Sequence, residues 1–313
     1  MDLYVADSKN NNNNRREFIP EITHHIQNNI IKHIVISGGG IFGFSYYGII
    51  RESNKEKLWK IDDIQTIYGT SIGSVLATIL CLKYDWKTID DYLLNRPWNK
   101  VFQYDITNIF NSIHKNGIYS KEITEKIFKP LLLGKDLSTN ITMIDFYKKT
   151  NIELHIFVTN VNTFKMVDIS YKTHPNWLLL DAIHASCSIP ILYQPICIDN
   201  IAYCDGGFCN NYAINECIIN GAKNDEILGI NMTQCASDED IIMTNISLFD
   251  FIVYLLNQLL KNIVNKVENK IKYYFILESD ARSLTEISNV ANDRNIRKDL
   301  IDKGIEIYYN QIS

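Results

Sequence analysis

The chain has 313 residues, 46% hydrophobic and 21% charged, which suits a globular protein with a buried core and excludes a disordered or fibrous one. A net charge of −5 offers no polyanion-binding surface, so no nucleic-acid partner is expected. Any membrane contact has to be apolar rather than basic.

The seven cysteines are odd in number and contain no C-x-x-C pair. Those at 197, 204, 209 and 217 match no common zinc framework, so they read as reduced core thiols with no metal. The N-terminus lacks an apolar signal region, and the most apolar stretch, Ile246 to Leu260, is interrupted by Asp250 and too short to span a bilayer. A cytoplasmic protein is expected, soluble or at most peripheral at a membrane. Residues 1–30 hold an unbroken Asn10–Asn14 run and read as a disordered leader, and residues 31–313 read as one domain without internal repeats. The oligomeric state is left open.

The first predicted strand is Lys32 to Ser37. It runs into Gly38-Gly39-Gly40-Ile41-Phe42-Gly43, and a helix follows over Phe44 to Glu52 with Tyr47 and Ile50 facing inward. Glycines between a strand and a helix let backbone N–H groups converge on an anion. Two chemistries use this device: a pyrophosphate cradle of the G-x-G-x-x-G type, and an oxyanion hole. The first also needs an acid closing the second strand, whereas Asp62 and Asp63 precede it.

That second strand, Ile64 to Tyr68, stops at Gly69-Thr70-Ser71-Ile72-Gly73, and the helical pattern of Val75, Leu76, Ile79 and Leu80 follows at once. In this setting G-x-S-x-G reads as a nucleophile elbow, with glycines flanking a serine too crowded for side chains beside it. The competing reading is a tight turn in which Ser71 only caps the helix. Two loops at the carboxyl ends of neighbouring strands would bring a nucleophile and the amides of Gly38, Gly39, Gly40 and Ile72 to one crevice.

Residues 85–117 hold Trp86, Trp98, Phe102, Tyr104 and Phe110 without a sustained period, giving a small helical cap with core aromatics or a lid facing lipid. From Tyr119, Ile123, Ile127 and Leu131 mark an amphipathic helix. Glu153–Thr159 and Lys165–Ser170 are strand-like around a hairpin turn at Val161–Thr163. Trp177 to Ala185 is helical and ends in small residues that would pack against the elbow. A strand at Ile201–Cys204 stops at Asp205-Gly206-Gly207, which is either a hairpin turn or a carboxylate held at a cleft. Further strands are expected at Glu226–Met232 and Tyr273–Leu277. Between them Leu248 to Ile263 form an apolar stripe at helical spacing, and a last helix covers about Asp293–Gln311.

A serine nucleophile needs a base. No histidine follows Asp205, so a Ser–Asp–His set in that chain order is ruled out. His184 with an earlier acid such as Asp168 is one alternative. A direct Ser71–Asp205 dyad is the more economical one, aided by burial that raises the carboxyl pKa.

These motifs together resemble the patatin-like phospholipase family, whose marks are a G-G-G-x-R/K-G loop, a G-x-S-x-G elbow and a D-G-G/A motif. Here they read Gly38–Gly43, Gly69–Gly73 and Asp205-Gly206-Gly207, in the family's order. The segment Asp181-Ala-Ile-His-Ala-Ser-Cys-Ser-Ile-Pro190 and the closing Leu300-Ile-Asp-Lys-Gly304 are similar too. The resemblance implies a three-layer α/β/α fold with a mostly parallel central sheet and a Ser71–Asp205 dyad. It further implies an oxyanion hole from Gly38, Gly39, Gly40 and Ile72, supported by Gly43, Gly69, Gly73, Gly206 and Gly207. The implied activity is phospholipase A-type hydrolysis of fatty acyl esters at a lipid or membrane-surface substrate, with no cofactor. Phe42 departs from the family's Arg or Lys, which raises the alternative of a patatin-like lipid-binding domain with weak or no turnover.

Overall fold

The structure, a computed structural model, describes residues 30–103, 114, 116–234, 271–279 and 284–312, with isolated positions between 251 and 258. The Asn-rich leader, Tyr104, Phe110 and most of the Leu248–Ile263 stripe lie outside the described residues.

The chain opens with β1 (His33–Ile36), enters the glycine loop, and continues as α1 (Gly43–Lys55). β2 (Thr66–Thr70) leads directly into α2 (Ile72–Cys81). Two short helices follow, α3 (Trp86–Asn95) and α4 (Trp98–Val101), the first started by Asp85, whose carboxylate accepts from the Thr88 amide at 2.9 Å. β3 (Gly117–Tyr119) precedes α5 (Glu122–Leu133) and α6 (Met143–Thr150). Tyr119 thus ends a strand rather than beginning the helix.

The hairpin β4 (Glu153–Asn160) and β5 (Lys165–Ile169) comes next, followed by α7 (Leu179–Cys187). α7 begins two residues later than expected from Trp177 and continues through Cys187. The short strands β6 (Ile191–Tyr193), β7 (Ile196–Ile198) and β8 (Ile201–Asp205) lead to α8 (Ile214–Ile219). β9 (Ile227–Gln234), β10 (Tyr273–Ser279), α9 (Leu284–Asn292) and α10 (Arg294–Gln311) complete the described elements.

Five neighbouring strands run parallel, in the order β10-β9-β1-β2-β4; β5 pairs antiparallel along the far edge of β4, and β8, itself antiparallel to β7, pairs antiparallel with the end of β4. Residues alternate between two buried faces, as period-two side-chain geometry requires. Ile34, Ile36, Ile67, Leu154, Ile156 and Val158 join the larger core with α1, α2, α5 and α7. Val35, Tyr68 and Phe157 face the smaller core built with Tyr212, Ile214 and Cys217 of the α8 region. The fold is α/β, with helices on both faces of the sheet.

α10 crosses α1 at close range. A Cβ on Gly48 would collide with the Ile301 carbonyl, and one on Gly304 with the Ser45 carbonyl, so both crossing points need glycine. The Ser45 hydroxyl also donates to the Leu300 carbonyl at 2.7 Å. The last helix thereby fixes α1, and α1 begins at the glycine loop.

Candidate active site

Ser71 is placed by crowding. A Cβ on Gly69 would press on the Gly73 backbone, and one on Gly73 would collide with the Ile36 carbonyl at the end of β1. The turn can pass so near β1 only without side chains at those positions, and Ser71 absorbs the sharp bend with φ 54° and ψ −127°. Although it stands at the N-cap of α2, its side chain caps no amide there, so the helix-cap reading fails. The hydroxyl is left for other partners. Its backbone N–H donates to Ser186 Oγ at 2.9 Å, and Ser186 in turn donates to the Phe157 carbonyl at 2.7 Å.

Asp205 arrives at the same point by strand register. Along one edge of β4, β2 pairs up to Thr70 opposite Phe157, and there it ends. β8 takes over that edge from the other direction, with Asp205 opposite Val158. The two strands therefore meet end to end on consecutive residues of β4, and Ser71 and Asp205 are the residues at the junction. Phe157, where the pairing changes hands, leaves a carbonyl for Ser186. Gly206 passes over the same carbonyl, where a Cβ would collide with it. The chain after Asp205 makes a short helical turn over Gly206–Phe208 rather than a hairpin, so the hairpin alternative for the Asp-Gly pair is corrected.

The Asp205 carboxyl is 4% exposed. Oδ1 accepts from the Gly207 amide at 2.7 Å, and the buried Oδ2 has no partner in hydrogen-bonding alignment. Burial pushes the pKa up to about 6, partly offset by the neighbouring Ser71 hydroxyl and the Gly207 amide, which both favour the anion. Ser71 is therefore close enough to stabilise the carboxylate without forming an aligned bond.

The glycine loop lies beside this pair. A Cβ on Gly38 would come 3.2 Å from the Ser71 Cβ, and one on Gly43 would run into Ile72. The Gly38 amide, however, donates to the Asn211 carbonyl at 3.1 Å. This corrects the expectation that Gly38 offers a donor to an oxyanion: its part is close approach. Gly40 has φ 54°, and its amide and that of Ile72, first in α2, have no acceptor among the described residues. Phe42, where the family has a cation, lies under the Lys303 ammonium of α10, 5.8 Å from the ring centre.

His184 does not pair with Asp168. Its Nδ1 meets Thr124 Oγ1 at 2.9 Å and its Nε2 meets the Gln194 carbonyl at 2.9 Å, and burial lowers its pKa. Asp168 instead holds His155, at 2.8 Å from Nδ1. Ser186 and Asn211 are the two supports that motif reading does not name individually. The small-residue run Ala185–Ser188 signals the first in outline, and no local signal marks Asn211.

Ser71 also lines a cavity of about 200 Å³ whose wall is almost wholly apolar. The wall follows α2 through Ile72, Val75, Leu76 and Ile79, so the space runs for roughly 10 Å along the helix axis at its ordinary rise. Trp98 and Phe102 line it too, which places these two aromatics of the 85–117 segment in the wall of a cavity rather than on a surface. Cys187 joins them, its thiol pKa raised by burial. Among the described residues no helix is long and apolar enough to cross a membrane.

The sequence profile of the patatin-like phospholipases matches residues 34–218, more than half of the chain. The chain is 29% identical over 189 residues to "Probable lipid hydrolase 463L" of Invertebrate iridescent virus 6, covering 60% of this chain and 63% of that protein. It is 27% identical over 174 residues to "Triacylglycerol lipase 4" of Saccharomyces cerevisiae, covering 51% of this chain but 18% of the yeast protein. Each match spans less than two thirds of the relative. Among solved structures, VipD from Legionella pneumophila superposes with a TM-score of 0.53 at 15% identity, over 90% of this chain and 67% of that one, which is a likeness of fold. Glycine loop, elbow and Asp-Gly-Gly turn fall within the matched span, and the chain belongs to the patatin-like phospholipase family.

Proposed function

We propose that this protein hydrolyses fatty acyl esters of lipids, as a phospholipase A-type enzyme with Ser71 as nucleophile and Asp205 as base. The observation that carries the reading is the junction on β4, where a buried carboxylate with an open oxygen abuts a strained, uncapped serine. With a pKa of about 6, Asp205 is about nine-tenths ionised at pH 7 while remaining a far better base than a free carboxylate. Ser71 Oγ attacks the ester carbonyl as its proton passes to Asp205. The Ile72 amide, at the positive end of α2, and the Gly40 amide of the glycine loop receive the oxyanion, with Gly39 in the same loop. Collapse returns the proton from Asp205 to the leaving alcohol and leaves an acyl group on Ser71. Asp205 then deprotonates water, which releases the fatty acid and restores the serine. The acyl chain occupies the apolar cavity that Ser71 opens into. Residues 31–313 act together as one domain, supported by a sheet that takes strands from both β1 and β10.

The test uses phosphatidylcholine vesicles and a fluorophosphonate probe. Ser71→Ala and Asp205→Ala are expected to stay folded, and to lose about 10³-fold or more in hydrolysis. Ser71→Ala should also lose labelling. The wild-type kcat/KM should fall on the acid side with a midpoint near pH 6, as Asp205 protonates. A folded Asp205→Ala enzyme with wild-type turnover would sink the dyad. A wild-type chain that neither labels nor turns over would leave the lipid-binding alternative standing.

A further inference from the structure

One buried charge in the cavity wall has no place in this chemistry. Arg297 is 4% exposed and lines the same cavity as Ser71. It stands in the first turn of α10, where a positive side chain is unfavourable to the helix dipole. Its hydrogen bonds go to carbonyls and not to a carboxylate: Nη1 donates to those of Val290 at 2.8 Å and Ala291 at 3.1 Å, and Nη2 donates to that of Leu94 at 2.7 Å.

These three acceptors have one feature in common. Val290 and Ala291 lie in the last turn of α9, and Leu94 in the last turn of α3. Carbonyls there have no helical donor ahead of them and carry the negative end of each helix dipole. One guanidinium therefore joins the carboxyl ends of two helices far apart in sequence. Both helices wall the cavity, α3 through Tyr92 and Leu93 and α9 through Ile287, Val290 and Ala291.

We infer that Arg297 is a positioning residue that clasps α9 to α3 and so sets how much acyl chain the cavity holds. The planar fork of the guanidinium suits the task, since it reaches diverging carbonyls at once, and a lysine ammonium cannot span them with the same geometry. An apolar side chain of similar size would fill the space but leave the helix ends unbridged. The inference rests on the reading of this cavity as the acyl site.

The experiment compares the wild type with Arg297→Met and Arg297→Lys, after circular dichroism has shown each to be folded. Hydrolysis of p-nitrophenyl butyrate and palmitate gives the chain-length profile. Binding of cis-parinaric acid in a Ser71→Ala background reports the cavity without chemistry. Hydrogen exchange follows residues 284–292. In Arg297→Met the palmitate-to-butyrate ratio of kcat/KM should change about tenfold, mostly through KM, as expected for charge-assisted hydrogen bonds lost from the wall. Parinaric acid affinity should change by a similar factor, and amides in α9 should lose protection. Arg297→Lys should lie between the two. Should folded Arg297→Met keep the wild-type ratio, probe affinity and α9 protection, the clasp does not exist. A wild type without esterase activity would overturn the enzyme reading instead, and the probe and exchange results would still decide the clasp.

Discussion

Asp205 carries its charge where charge is disfavoured. Its ordinary pKa is near 3.8 and burial lifts it to about 6, so between those values the folded chain binds a proton that the unfolded chain has released. The sign follows: folding stability falls as pH rises from about 4 through 6, and at neutral pH the ionised carboxylate is a net cost. Asp205→Asn removes that cost and keeps an acceptor for the Gly207 amide. It should raise stability at pH 7 by about 1–2 kcal/mol, seen as a higher Tm, while hydrolysis is lost. At pH 4 the gain should vanish. An Asp205→Asn variant no more stable than wild type at pH 7 would show that the carboxylate is better solvated than its burial implies. The residues of this site are legible in the sequence because each motif is a local solution to crowding: Gly69, Gly73 and Gly206 exist so that backbone can touch backbone. The Gly38 amide is misleading there because its acceptor, the Asn211 carbonyl, is 173 residues away, and spacing carries no trace of it.

β4 organises the elements around it. Its amino-terminal half pairs with β2 and its end with β8, and both its strand neighbours and its side chains hold that register. His155 is the chief pin on the smaller-core face. It stacks on its cross-strand partner Tyr68 with ring centres 4.2 Å apart, and its nitrogens reach Asp168 at 2.8 Å and Glu153 at 3.2 Å. Lys172 completes the group at 2.7 Å from Glu153. Burial alone would lower the imidazole pKa, but the two carboxylates outweigh it and push it up to about 8. A histidine so raised stabilises the fold fully below its ordinary pKa of 6.5 and loses that contribution as pH rises through 8. His155→Gln should therefore cost about 2 kcal/mol in urea unfolding at pH 6 and clearly less at pH 9. Equal losses at both pH values would mean that the imidazole works by packing and not by charge. The hairpin β4–β5 is readable from alternation alone. The pairing of His155 with Asp168, rather than of His184 with Asp168, is not, because it depends on which face of the sheet each side chain occupies after the register is set.

At the scale of the molecule, the serine turn is built from one short segment and the cavity from nearly the whole chain. Leu93, Phe128, Tyr193 and Ile287 all line it, although nothing in their local patterns separates them from ordinary core residues. A cavity wall and a packed core use the same apolar side chains, so the sequence could show the motifs of the candidate site but not the apolar space beside them. Val75 offers a way to fill that space without touching the chemistry. It is half-buried, lines the cavity, and stands one helical turn beyond Ile72, about 6 Å along α2 from Ser71. Val75→Trp would direct its added volume into the void and not against packed neighbours, so its cost in stability should stay below about 1.5 kcal/mol. An acetyl group, which needs only the space beside Ser71, should be hydrolysed within about twofold of the wild-type rate, whereas palmitoyl esters should lose about tenfold or more in kcat/KM. Fluorophosphonate labelling of Ser71 by a short-chain probe should be unchanged, which isolates the effect to chain accommodation. Equal losses for p-nitrophenyl acetate and palmitate would place the acyl chain elsewhere, and a wild-type profile would mean that the void along α2 takes no part in binding.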